Sequence, residues 1–201
     1  MNTTFARIQL AVLVLPVLSI AQLAPTSDTT KPFRAGIEMA GGYAYRLRST
    51  NTLPGNYVRG GATARFRLKW GSHNVVGAGI ETGWLPISSL SATNSSTTLG
   101  TTDIEASLNA VPVLFVVALQ RFNTQLHMGL GYYNVRVSST VFGTTIRSSE
   151  WDFGYMLSLG YAYALGPAVK LGVEVKWDNI SEAQISMLST CVRVMVPLWE
   201  W

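Results

Sequence analysis

Residues Trp151–Leu165 read WDFGYMLSLGYAYAL. Every second side chain (Trp151, Phe153, Tyr155, Leu157, Leu159, Tyr161, Tyr163 and Leu165) is large and apolar or aromatic. Between them stand Asp152, Gly154, Met156, Ser158, Gly160, Ala162 and Ala164, which are small or polar apart from Met156. A β-strand sends successive side chains to opposite faces, so this stretch is a strand with one greasy face and one small, partly polar face. Its length suits a membrane. A tilted strand needs about 9–11 residues to cross a bilayer, whereas a globular strand usually runs about 5–6. The rings lie toward its ends and the leucines in its middle, as expected where aromatic side chains prefer the water–lipid boundary. The competing reading is a long strand of a soluble β-sandwich, and the rest of the chain decides between them.

The chain has 201 residues and a formal charge of +4. It has no basic run, so nucleic-acid binding has little support. Its one cysteine, Cys191, excludes an intramolecular disulfide and a zinc cluster built from cysteines. At the N-terminus a polar segment with one cation, Arg7, precedes an apolar run from Ile8 to Leu18. Ser19-Ile20-Ala21 then offers small residues where a signal peptidase reads. Residues 1–21 are therefore expected to be a signal peptide. Residues 22–34 read as a flexible periplasmic lead-in, and 35–201 as the folded domain. The longest later apolar run, Val111 to Leu119, has the length of a strand.

The same alternation recurs along the chain. In a first strand, Ala35 to Arg48, Ile37, Met39, Tyr43, Tyr45 and Leu47 oppose Glu38, Ala40, Ala44, Arg46 and Arg48. In a second, Tyr57 to Trp70, Val58, Ala62, Ala64, Phe66, Leu68 and Trp70 oppose Arg59, Thr63, Arg65, Arg67 and Lys69. A third, Val75 to Leu85, sets Val76, Ala78, Ile80 and Trp84 against Gly77, Gly79, Glu81 and Gly83. Pro86 to Asp103 reads as a long loop. The fourth strand, Ile104 to Leu119, is expected to turn Val111, Val113 and Phe115 inward. The fifth, from Gln125, presents Leu126, Met128, Leu130 and Tyr132, and then its apolar phase shifts to Val135 and Val137. A β-bulge at Tyr132-Tyr133 is the simplest cause. Ser138 to Glu150 reads as a polar loop. The opening stretch is the sixth strand. The seventh, Val169 to Asp178, sets Val169, Leu171, Val173, Val175 and Trp177 against Lys170, Gly172, Glu174, Lys176 and Asp178. After a loop over Asn179–Ser186, the eighth runs from Met187 to the C-terminus. There Val192, Val194, Val196 and Leu198 share a face that Trp199 and Trp201 do not. Either Pro197 shifts the phase or the last residues lie outside the wall.

Loops and tight turns alternate along the chain, with tight turns at Gly71–Asn74, Gln120–Thr124 and Gly166–Ala168. Outer-membrane barrels have this asymmetry. Charged residues within strands share a face with glycine and alanine, which suits a cramped interior. In an eight-stranded barrel the lumen is just wide enough to be filled by side chains. The bulky face therefore meets lipid. The predicted fold is all-β, an eight-stranded antiparallel up-and-down transmembrane β-barrel in the outer membrane.

Ser107-Leu108-Asn109-Ala110-Val111-Pro112-Val113-Leu114, followed after a turn by Leu126-His127-Met128-Gly129-Leu130-Gly131, resembles the small porin-family outer-membrane β-barrel proteins common in Bacteroidetes and related bacteria. The likeness extends loosely over residues 33–201. It implies an eight-stranded barrel in the size class of OmpA, OmpX and OmpW, and no particular activity.

Two residue sets are singled out. Inward-facing Glu38, Arg65, Arg67, Glu81, Lys170, Glu174, Lys176 and Arg193 are expected to form a lumen charge network. It would be either an ion pathway or a plug of mutually satisfied charges, and the plug is preferred because a narrow barrel cannot hold bare charges. Trp84, Trp151 and Trp177 at the outer ends of strands, with Trp70 and Tyr163 at the inner ends, are expected to form two aromatic girdles. Arg46, Arg48 and Arg59 lie near the outer rim; lipopolysaccharide phosphates would be within reach if they turned outward, but ordinary solvation at the rim is the preferred reading. Catalysis has little support. His73 is in a periplasmic turn, and His127 has Gly129 where barrel deacylases carry serine, with no close acid and no serine in phase. Cys191 is read as a small inward filler.

No cofactor and no metal are expected. The expected role is non-enzymatic, structural or interactive at the surface through extracellular loops. A narrow porin-like channel is the alternative, and a lipid A-modifying enzyme is third. Expected partners are outer-membrane lipid, lipopolysaccharide and, during biogenesis, the barrel assembly machinery. The sequence names no surface ligand.

Overall fold

A computed structural model describes residues 33–47, 56–72, 76–97, 100–166 and 169–200. The expected signal peptide, most of the lead-in, Arg48, His73 and Trp201 lie outside them. The described chain is strand almost throughout: β1 (Phe33–Arg46), β2 (Asn56–Val58), β3 (Gly60–Ser72), β4 (Val76–Thr97), β5 (Gly100–Arg121), β6 (Thr124–Val141), β7 (Thr144–Ala164), β8 (Lys170–Ile180) and β9 (Ile185–Glu200). Every pairing is antiparallel. β1 joins β3 on one side and β9 on the other, and β4–β5 pairing closes the ring. β2 continues β3 along β4, with Asn56 opposite Ser91, so the ring has eight strands. The expected second strand is thus real but interrupted at Arg59. Gly60, at a φ of 120°, takes a backbone conformation that a side chain would resist.

The wall is the greasy face. Leu159, Val173, Val175, Val192, Leu130 and Met39 are all exposed from the ring, and Leu159 keeps 57% of its surface accessible. Apolar side chains standing outward in this number need an apolar solvent. The short-turn end of the ring carries the connections after Arg121 and Ala164. From the other end two hairpins project.

These hairpins correct two readings of the sequence. Pro86 to Asp103 is not a loop. β4 runs on to Thr97, β5 starts at Gly100, and they pair up to Thr97 opposite Gly100. Ser138 to Glu150 is likewise strand, turning at Phe142-Gly143. Both turn residues have positive φ, 51° and 73°, the geometry that matches the twist of a tight hairpin. Along 144–150 every side chain is exposed and no core selects a face, and in β4 only Ile87 and Ala92 among the described residues beyond Pro86 are buried, too few to mark an alternation. The expected loop over Asn179–Ser186 also shrinks. β8 continues to Ile180, β9 starts at Ile185, and a turn joins them.

Two phase readings change as well. In β5, Val113 and Phe115 point outward, while Ala110, Leu114, Val116 and Ala118 are buried inside. Both faces of this strand are apolar, so alternation alone could not orient it. Pairing does, because Val113 and Phe115 stand opposite the wall residues Tyr132 and Leu130. In β6 there is no bulge: its register with β5 and with β7 is unbroken from Thr124 to Val141. Tyr133 and Val135 face the lumen because the upper lumen is itself apolar. The C-terminal alternatives resolve toward a phase shift. The β1–β9 register slips between Ala35 and Gly36, so Leu198 and Trp199 both face out.

Candidate functional site in the barrel lumen

The lumen has three levels. At its centre Arg67 of β3 stands in register between Glu38 of β1 and Glu81 of β4. Its Nη1 donates to Glu38 Oε2 at 2.6 Å, its Nε to Glu81 Oε2 at 2.9 Å, and its Nη2 to Glu174 Oε1 across the lumen at 3.2 Å. Lys176 donates to Glu81 Oε1, and Arg65 donates to Asp178 Oδ2 at 2.9 Å. Arg193 approaches Glu38 and Glu174 at 3.9 and 3.8 Å, and Lys69 reaches Glu38 at 3.7 Å. Charges taken out of water are costly unless paired, and here strand register supplies the pairs.

Arg193 needs more than partners. It lies flat over β7, so that a Cβ at Gly160 would come within 2.7 Å of Nη2. The small residues interleaved with the charges therefore make room for long side chains to fold across the lumen.

Of the expected set, Glu38, Arg65, Arg67, Glu81, Glu174, Lys176 and Arg193 meet in this cluster. Lys170 is placed lower, lining a vestibule at the short-turn end with Arg34, Lys69, Gln120 and Gln125. Lys69 and Asp178, on the inner face by alternation but outside the expected set, join the cluster. Tyr133 belongs to it too, donating its hydroxyl to Asp178 Oδ1 at 2.9 Å. The apparent phase slip around Tyr133 hid that contact from the sequence. Cys191 is buried, opposite Glu174 in the register.

Above the charges the lumen is apolar. Ala44, Leu85, Ile87, Ala110, Leu114, Tyr133, Val135, Met156, Ile180, Ile185 and Met187 form one buried cluster. Most of these residues lie in the parts of β4, β5, β6, β8 and β9 nearest the projecting hairpins.

His127 requires a correction. A serine does face it, on the neighbouring strand: Ser158 is its register partner, with Oγ 3.2 Å from Nδ1. Acids are close as well, Glu174 at 3.8 Å and Glu38 at 3.9 Å. Spacing along one strand could not reveal a partner that pairing brings from the next. The geometry nonetheless opposes nucleophilic chemistry. Arg67 Nη1 lies 3.1 Å from His127 Nε2, and a guanidinium can only donate. Nε2 is then the acceptor, Nδ1 carries the hydrogen, and the imidazole donates to Ser158 rather than taking its proton. Both residues are also fully buried.

Of the aromatic set, Trp84, Trp151 and Tyr163 stand exposed on the wall. Trp70 and Trp177 are half-buried, the latter edge-on to Tyr155 at 5.5 Å. Arg59 is not on the inner face. It is exposed and sits over the Tyr57 ring, 5.9 Å from its centroid, while Arg46 Nη1 donates to the Tyr57 hydroxyl at 3.2 Å. Among the described residues no cluster of histidine, cysteine and carboxylates has the make-up of a metal site.

A closed antiparallel ring with an apolar outer wall and a packed interior, charged below and apolar above, defines an outer-membrane β-barrel here. The family model described as outer membrane protein beta-barrel domain matches residues 10–186, and the chain belongs to that family. Its fold is similar to that of Ail, the attachment invasion locus protein of Yersinia pestis (TM-score 0.51, 10% identity, covering 84% of this chain and 99% of that one). It is also similar to Neisserial surface protein A (TM-score 0.50, 12% identity, covering 81% and 96%). No curated protein matches the sequence. The protein is thus placed in the outer membrane, and at these identities the two structures speak for fold alone.

Proposed function

We propose that this protein is a non-enzymatic outer-membrane barrel with a sealed lumen, working at the cell surface through the sheet its long strands build. The observation that carries this reading is the contrast between the two ends of the strands. The interior is filled by ion pairs and an apolar cluster, while β4, β5, β6 and β7 continue past it as a projecting sheet. The β7 segment from Thr144 to Asp152 pairs with β6 on one side, and its other edge has no partner strand among the described residues. An open edge of this kind can take up an extended segment of another protein.

In this reading the lumen residues serve stability, and the projecting sheet serves contact. Trp84, Trp151 and Trp177 on one side and Trp70 and Tyr163 on the other anchor the wall at the two interfaces. Arg59, exposed at the rim, faces outer-leaflet lipopolysaccharide, and the barrel assembly machinery inserts the chain. Protease applied to intact cells tests the orientation. Cleavage is expected within 86–103 or 138–150, with the turns at 71–74 and 166–168 spared, and the reverse pattern contradicts the assignment. A lipid A-modifying role is the reading that His127 and Ser158 would serve. Mass spectrometry of lipid A from cells with and without the protein is expected to give identical species.

A further inference from the structure

The open edge of β7 has a chemistry of its own. In an antiparallel strand both backbone groups of one residue point to the same side, and successive residues alternate. Ala162 N–H donates to Asn123 O on the β6 side, whereas Phe153 O accepts from Ser181 N–H on the β8 side. The β6–β7 register is unbroken from Thr144 to Tyr161. Odd-numbered residues of β7 therefore point their N–H and C=O groups away from β6. β8 covers them only as far as Ile180, opposite Gly154. Thr145, Arg147, Ser149 and Trp151 are left with backbone groups on the open side, a length that suits a strand of about seven residues.

The side chains beside this edge are sorted by face. Arg147, Ser149 and Trp151 stand on the outer face, while Ile146, Ser148, Glu150 and Asp152 share the inner one, opposite Ser139, Val137, Val135 and Tyr133. At the foot of the edge Ser181 bonds Phe153, and the next residue of that turn is Glu182. Three carboxylates are thus placed around the foot, and among the described residues none of them is ion-paired. They do not form a group that could hold a metal ion. Asp152 is only 5% exposed and Glu150 stands on the water side of it. A buried carboxylate without a counter-charge favours an approaching cation.

We infer that this edge selects an extended basic segment of a partner protein, with lysine or arginine at two positions two residues apart, set against Glu150 and Asp152. The inference rests on the surface-contact reading above and names the chemistry of the partner. A second copy paired antiparallel along the same edge does not meet the requirement. It would bring Thr144, Ile146, Ser148, Glu150 and Asp152 to the inner face, none of them a cation. The outer face adds a smaller condition, an acid opposite Arg147. The row of free backbone groups gives the affinity, and the side chains on alternate positions give the selection.

The test uses the full chain in lipid nanodiscs and two synthetic peptides, KVKTTEVT and its charge-exchanged form EVETTKVT. Laid antiparallel along the edge, the first sets its lysines against Asp152 and Glu150 and its glutamate against Arg147. It should bind about tenfold tighter than the second, because opposite charges across a strand pair attract and like charges repel. Its binding should slow amide exchange at Thr145, Arg147, Ser149 and Trp151 and leave Ile146 and Ser148, already bonded to β6, unchanged. Ser149→Pro removes an N–H from the open side alone and should weaken both peptides. Glu150→Gln should shrink the difference between them. Equal binding of the two peptides, or tighter binding of EVETTKVT, overturns the inference and leaves the edge as a contact surface. If neither peptide slows exchange at those four amides, the edge-docking reading falls and the inference with it. The wild-type comparison decides even if a variant misfolds.

Discussion

The lower and upper halves of the lumen solve the same packing problem with opposite chemistry. Both are enclosed by the same ring of strands, and both must be filled. Near the short turns the filling is ionic: Arg67 alone touches three carboxylates from β1, β4 and β8. Near the projecting hairpins it is apolar, with Leu85, Ile87, Leu114, Met156 and Met187 packed together. Asp178 and Tyr133 form the seam, because Asp178 takes hydrogen bonds from Arg65 below and from Tyr133 within the apolar cluster. The lesson is about failure modes. An ionic plug is intolerant of losing one partner, since the remainder is left charged in a dry site. An apolar plug degrades in proportion to the volume removed.

The largest effect is expected in the ionic half. Glu81 holds Arg67 and Lys176 and lies 3.6 Å from Arg65. Glu81→Gln leaves cations buried without their counter-charge and should cost about 3–5 kcal/mol, read as a lower unfolding midpoint in detergent or lipid. An unchanged midpoint would mean that water reaches the cluster freely. Next comes the wall. Leu159→Arg should cost roughly 2–4 kcal/mol, as a cation at the bilayer midplane does, measured as equilibrium folding into vesicles. Normal folding of that variant, together with solubility without detergent, would remove the membrane assignment.

How much of this division was legible in the sequence depends on how unlike the two faces of each strand are. In β1, β3 and β8 charged residues alternate with large apolar ones, so Glu38, Arg65, Arg67, Glu174 and Lys176 could be turned inward from spacing alone. In β5 both faces are apolar, and orientation came only from pairing with β6. In β6 the change from polar to apolar lumen at Tyr133 imitates a bulge, because period-two logic assumes that one face keeps one chemistry. The projecting hairpins carry Ser and Thr on both faces and so look like loops. The His127–Ser158 contact joins residues 31 apart in the chain. It exists only once register is known.

Two smaller effects sharpen the contrast. At the seam, Tyr133→Phe removes one hydrogen bond to Asp178 but leaves Arg65 as its partner. A loss of about 1 kcal/mol is expected, and double-mutant cycles with Glu81→Gln should show coupling, because Glu81 lies beside Arg65 and Tyr133 reaches Arg65 through Asp178. In the projecting sheet, Ile146→Thr touches neither plug, since Ile146 is 70% exposed. The change in barrel stability should stay within about 0.5 kcal/mol. A larger loss would show that the sheet supports the barrel as well as extending from it.

The claim on which the whole reading rests is that the two plugs close the lumen. Single-channel recording of the purified protein in planar bilayers tests it most directly. The wild type should show no discrete conductance steps in symmetric salt across the usual voltage range. Glu81→Gln should be equally silent, because the apolar cluster above it is intact. Reproducible ion-conducting steps from the wild type, with selectivity that shifts in Glu81→Gln, would contradict the sealed lumen and make the protein a narrow channel.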